Sequence, residues 1–96
     1  MILHTLSASP SSIAFADCLS MIDDSDALLL LGDGVYAALA GSAARALVDH
    51  SNAPVFALAK DLMAAGIVDQ CPGVTSIDMR GFVELTERYS RQLAWY

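Results

Sequence analysis

The chain has 96 residues, 55% of them apolar (AVILMFWYC), and a formal charge of −6. That length predicts one domain spanning residues 1–96. Its few basic residues, Arg45, Lys60, Arg80, Arg88 and Arg91, are scattered, which excludes the dense basic patch that nucleic acids and anionic membranes require.

The apolar share is high for so short a chain. An ordinary soluble domain sits at about 45–50% even with glycine counted, and a small one buries only about 60–70% of its unfolded surface. One face is therefore expected to be covered by another chain. His4, Ser7, Ser9 and Pro10 interrupt the first apolar stretch too early for a signal peptide. The longest apolar run, Val35 to Ala40, falls far short of the ~20 residues that span a bilayer. A cytoplasmic location is expected. Cys18 and Cys71 form neither a disulfide framework nor a CxxC motif.

Short apolar runs alternate with helical patterns, which predicts an α/β fold with a mostly parallel sheet of about four strands flanked by helices. Ile2, Leu3, Thr5 and Leu6 make a first strand. Ser9-Pro10 offers an N-cap with proline at the first helical position, and the helix runs to about Ile22 with Phe15, Cys18, Leu19 and Ile22 on one face. Asp23, Asp24 and Asp26 end it in a solvated acidic turn. Ala27 to Leu31 reads as a strand buried on both faces.

Gly32-Asp33-Gly34 turns the chain, with Asp33 a candidate cap for a short, nearly all-apolar helix from Val35 to Ala40. A second helical piece runs from Ala43 to about His50 behind Ser42. Val55 to Leu58 is a third strand. Asp61 to Ala65 is a brief helix, and Gly66 followed by Ile67 fits a Schellman-type stop. Cys71-Pro72-Gly73 is a loop, and Val74 to Met79 supplies a fourth strand. Gly81 to about Tyr89 is the last helix, with Phe82, Leu85 and Tyr89 on one stripe. Gln92 to Tyr96 reads as an apolar tail.

Little in this pattern carries chemistry. Gly32-Asp33-Gly34 sits where α/β sheets bind ligands, but Ala37 replaces the third glycine of GxGxxG and no P-loop lysine follows. No cysteine, histidine or carboxylate cluster has metal-ligand spacing, so neither cofactor nor metal is expected. His4 lies in a strand pattern and reads as a hydrogen-bonded core histidine rather than a base. Cys18 falls on an apolar stripe, where a thiol is inert; Cys71, in its loop, reads as more accessible, with no basic neighbour in sequence.

An ordered set of segments nevertheless resembles the TusB/DsrH family of sulfur-relay proteins. It begins with Leu3-His4-Thr5 and Ser9-Pro10 and continues through Leu28-Leu29-Leu30 and Asp33-Gly34-Val35. Asp61-Leu62 with Ala64 and Gly66 follows, then Phe82-Val83, Leu85-Thr86 and Ala94-Trp95. The resemblance implies an accessory subunit of a cytoplasmic sulfurtransferase complex. Its partners would be two paralogues, TusC/DsrF-like and TusD/DsrE-like, in a hetero-hexamer that passes persulfide sulfur toward 2-thiolation of the tRNA wobble uridine. Direct nucleic-acid binding is not expected of this subunit.

The alternative that the resemblance implies is a thiol-active carrier of a DsrEFH-like complex in oxidative sulfur metabolism. Cys18 is then the persulfide candidate, because its Cys-Leu setting resembles the helix cysteine of DsrH-type members. Asp33, Gly34, Val35, Tyr36, Leu39 and Trp95 are the interface candidates.

Overall fold

The computed structural model describes all of residues 1–96. Five strands form one sheet, β1 (Ile2–Leu6), β2 (Ala27–Leu30), β3 (Val55–Leu58), β4 (Thr75–Ile77) and β5 (Arg91–Trp95), in the order β4-β3-β2-β1-β5. Every pairing is parallel. The α/β reading holds, and the segment read as an apolar tail supplies the fifth strand. Leu93 and Trp95 alone give that stretch little strand signal. Its backbone groups are taken up by β1, in a register running from Ile2 opposite Arg91 to Leu6 opposite Trp95.

The helices are α1 (Ile13–Met21), α2 (Ala43–His50), α3 (Ala59–Ala65) and α4 (Met79–Arg88). Parallel crossovers are right-handed, so a chain stepping from β1 to β4 in one direction keeps its connections on one face. The return from β4 to β5 reverses direction and puts α4 on the other. The core divides accordingly. Leu6, Phe15, Cys18, Leu28, Leu30, Val48, Ala57 and Leu62 pack on the α1–α3 side, whereas Leu3, Ala27, Leu29, Leu85 and Tyr89 pack beneath α4. Alternation along β2 sends Leu28 and Leu30 one way and Leu29 the other. All three are fully buried, worth up to about 2–3 kcal/mol apiece.

Local signals place most boundaries, and where they differ from expectation the cause is visible. Ser12, not Ser9, caps α1, its Oγ accepting from Phe15 N–H at 3.2 Å. Pro10 sits instead at the second position of a turn closed by Ser12 N–H to the Ser9 carbonyl at 2.9 Å, a position that its fixed φ favours. Asp78 caps α4 by accepting from Gly81 N–H at 2.9 Å, so that helix starts at Met79. Ser42 caps α2 as expected, and Gly66, at φ 72°, ends α3 with Ile67 N–H returning to the Leu62 carbonyl at 3.2 Å. The Val35–Ala40 piece is not an α-helix. Gly32–Ala38 winds as a 3₁₀ helix, and a second 3₁₀ turn spans Val68–Gln70.

Candidate functional site

The 3₁₀ segment leaves the carboxyl end of β2 and crosses the end of β1. A Cβ built at Gly34 would collide with the Leu6 carbonyl, its carbon 3.0 Å away and its oxygen nearer still. Only glycine lets the two backbones meet there. The turn is tied down from α3, because Gly32 N–H donates to Asp61 Oδ2 at 2.8 Å. Asp33 makes no such bond, so the expected Asp33 cap is absent and Asp61 holds the turn in its place. No local motif marks Asp61 for that role, since the contact spans 29 residues.

Gly32, Asp33, Tyr36, Asp61, Ala64 and Ala65 line a shallow groove of about 260 Å³ at this end of the sheet. Among the interface candidates, Asp33 and Tyr36 are exposed on it, Tyr36 at 44%. Gly34 and Val35 are buried in this chain's own core, so they shape the groove from below rather than face a partner. Leu39 is half-buried against that core. Trp95 lies on β5, at the sheet's edge opposite Leu6, and does not line the groove.

The thiols are both closed off. Cys18 faces inward from α1 with none of its surface exposed, and burial pushes its pKa up to about 12. Cys71 is also buried, against the expectation of an accessible loop thiol, and its Sγ–H donates to the Ile67 carbonyl at 3.3 Å. Burial raises its pKa, partly offset by the Arg45 guanidinium. Arg45 closes the Cys71 loop over the core. Its Nη1 donates to the Ala38 carbonyl at 2.6 Å, its Nη2 donates to the Pro72 carbonyl, and its Nε pairs with Asp49 at 2.9 Å. Sequence distance hid this neighbour of Cys71.

A third constellation sits on the α1 face of the sheet. His4 is fully buried, donates from Nε2 to Asp26 Oδ2 at 3.0 Å and accepts at Nδ1 from the Trp95 indole N–H at 3.1 Å. His4 is thus the hydrogen-bonded core histidine expected. Asp26 is not part of a solvated turn. It is 3% exposed and also accepts from Ile2 N–H at 2.8 Å and Asp23 N–H at 3.0 Å. Burial raises its pKa, but the His4 and backbone hydrogen bonds outweigh that and hold it below the usual carboxylate range. Its position two residues before Leu28, on the same face of the strand, was the available signal.

No three histidine, cysteine or carboxylate groups are placed to hold a metal, and no helix is long and apolar enough to cross a membrane. Fold and site define an α/β protein with an all-parallel sheet, a carboxyl-end groove and two sealed thiols. The family described as "DsrH like protein" matches residues 8–92, and the chain belongs to it. Proteins named TusB from Shigella dysenteriae serotype 1 and Escherichia coli O81 are 45% identical to it over 96 residues, covering 97% of this chain and 99% of theirs. The solved ychN protein from E. coli superposes with a TM-score of 0.82 at 18% identity, covering 98% of this chain and 97% of that one. At that identity the likeness is one of fold.

Proposed function

We propose that the chain is an accessory subunit of a cytoplasmic sulfur-relay complex that passes persulfide sulfur toward 2-thiolation of the tRNA wobble uridine. Its membership of the DsrH-like family and its near full-length similarity to TusB proteins support the pathway. The observation that carries the accessory role is Cys18. A sulfur carrier must present a nucleophilic thiolate, whereas this thiol is wholly buried and its pKa lies near 12. The relayed sulfur then resides on a cysteine of a paralogous partner, and this subunit shapes the assembly around it. Asp33 and Tyr36, beside the groove, are the residues through which it meets that partner.

The test is mass spectrometry of the complex reconstituted with both paralogues and loaded with persulfide. The added 32 Da is expected on a partner cysteine and on neither Cys18 nor Cys71. Transfer to tRNA should persist in C18A and C71A and fall when this subunit is omitted. An extra sulfur on Cys18, with transfer lost in C18A, would establish the carrier role instead.

A further inference from the structure

Trp95, His4 and Asp26 form a hydrogen-bonded chain from β5, through β1, to the residue preceding β2. The indole nitrogen can only donate, so its bond exists only while His4 Nδ1 carries no proton. That assigns the ring hydrogen to Nε2, facing Asp26. An imidazolium has N–H groups on both nitrogens. It keeps Asp26 and turns a second donor onto the indole. Proton uptake at Nδ1 and docking of Trp95 therefore exclude one another.

We propose that this chain is an acid-released latch: protonation of His4 frees Trp95 and the end of β5 from β1 while the rest of the sheet stays folded. The docked state binds one proton fewer on His4, so docking weakens as the proton concentration rises. The released state is not an orphaned buried charge. Asp26, anchored by Ile2 and Asp23, remains to pair with the imidazolium. β5 is an edge strand, paired in the sheet with β1 alone and exposed at four of its five residues. Beyond that ladder it is held by Ser7, whose N–H and Oγ–H donate to the Trp95 carbonyl at 3.0 and 3.3 Å, and by Gln92 Nε2, which donates to the Thr86 carbonyl at 3.2 Å.

The other ionisable groups nearby do not replace the lost bond. The Met1 amine lies 3.8 Å from Asp26 Oδ1. On α1, Asp17 points to solvent and Cys18 is buried in the apolar layer; on β5, Arg91 is exposed at the far end of the strand. His4 is hydrogen-bonded to Asp26 and Trp95 only.

The chain holds a single tryptophan, which makes the latch readable in the full-length protein. As the protein is titrated from neutral toward acid, tryptophan emission is expected to shift to the red with far-UV dichroism unchanged. Deuterium uptake in residues 91–95, corrected for intrinsic exchange, should rise about tenfold. Both responses should be flat in His4→Asn, whose side-chain oxygen keeps the acceptor and takes no proton. Unchanged emission and uptake in the wild type, simultaneous loss of far-UV signal, or the same transition in the variant would each overturn the latch. Should His4→Asn fail to fold, the imidazole ¹⁵N signals of the wild type decide. Nδ1 must gain its proton in step with tryptophan release, and release without it refutes the proposal.

Discussion

Single atoms decide most of what is distinctive here. Cys18 sits in the core without solvent exposure, so a small thiol-alkylating reagent is expected to modify it only as fast as α1 opens. Alkylation followed by mass spectrometry should label it after unfolding in urea and barely before. Replacement by alanine is the cleaner probe of its role, since a serine hydroxyl buried there without a partner costs about 1–3 kcal/mol. Gly34 and the two aspartates of the groove make a sharper set. A methyl group at Gly34 runs into the Leu6 carbonyl, so Gly34→Ala should destabilise by about 1–3 kcal/mol, as overpacking does. Asp61→Ala removes the acceptor for Gly32 N–H and should cost about 0.5–1.5 kcal/mol. Asp33→Ala removes no bond and should stay within about 0.5 kcal/mol. Urea unfolding of the three variants checks the ranking, and an Asp33 effect larger than that of Asp61 would contradict this geometry.

At the scale of elements, the connections matter more than the helices themselves. Arg45, on α2, ties the end of the 3₁₀ segment to the Pro72 loop through two carbonyls and keeps its side chain only 12% exposed. Its partner at the fourth position along the helix, Asp49, is 60% exposed. A solvent-facing pair of that kind contributes about 0.3–0.5 kcal/mol, whereas leaving the part-buried Ala38 carbonyl unpaired costs about 1–3 kcal/mol. Arg45→Ala should therefore destabilise more than Asp49→Ala, as urea unfolding of the two variants would measure. Equal effects would mean that the ion pair, not the carbonyl clamp, is what counts. The elements also show how far local pattern reaches. The Ser42 cap, the Gly66 stop and the Val55–Leu58 strand emerge where short-range chemistry puts them. The ends of α1 and α4 shift by two or three residues, because a Pro10 turn and an Asp78 cap compete with the expected starts.

For the whole molecule, the apolar surplus goes to the surface. The accessible surface is 5290 Å², close to the roughly 5300 Å² expected of a monomer of this mass, so folding is not incomplete. Yet Ile13, Met21, Tyr36, Leu47, Met63 and Val83 are all at least 44% exposed. They are spread over α1, the 3₁₀ segment, α2, α3 and α4, and burial of part of them against other chains is what an obligate assembly would supply. Purified alone, the chain should self-associate at micromolar concentration. Co-expressed with the two paralogues proposed as its partners, it should form one discrete larger species by light scattering. A well-behaved monomer would argue against an obligate assembly.

The succession of the first four strands with their intervening helices, the two-sided burial of the Ala27 strand, and family membership were legible in the residues, because they rest on periodicity, caps and turns that act over a few positions. The Trp95–His4–Asp26 chain, the Asp61 tie to Gly32 and the Arg45 cover over Cys71 were not. Their partners lie 22 to 91 residues apart, and no local pattern records which strands become neighbours. The same holds for β5. A five-residue stretch with two large apolar side chains has weak preference of its own, and it becomes a strand because the return crossover from α4 brings it beside β1, whose open backbone groups are satisfied by pairing there.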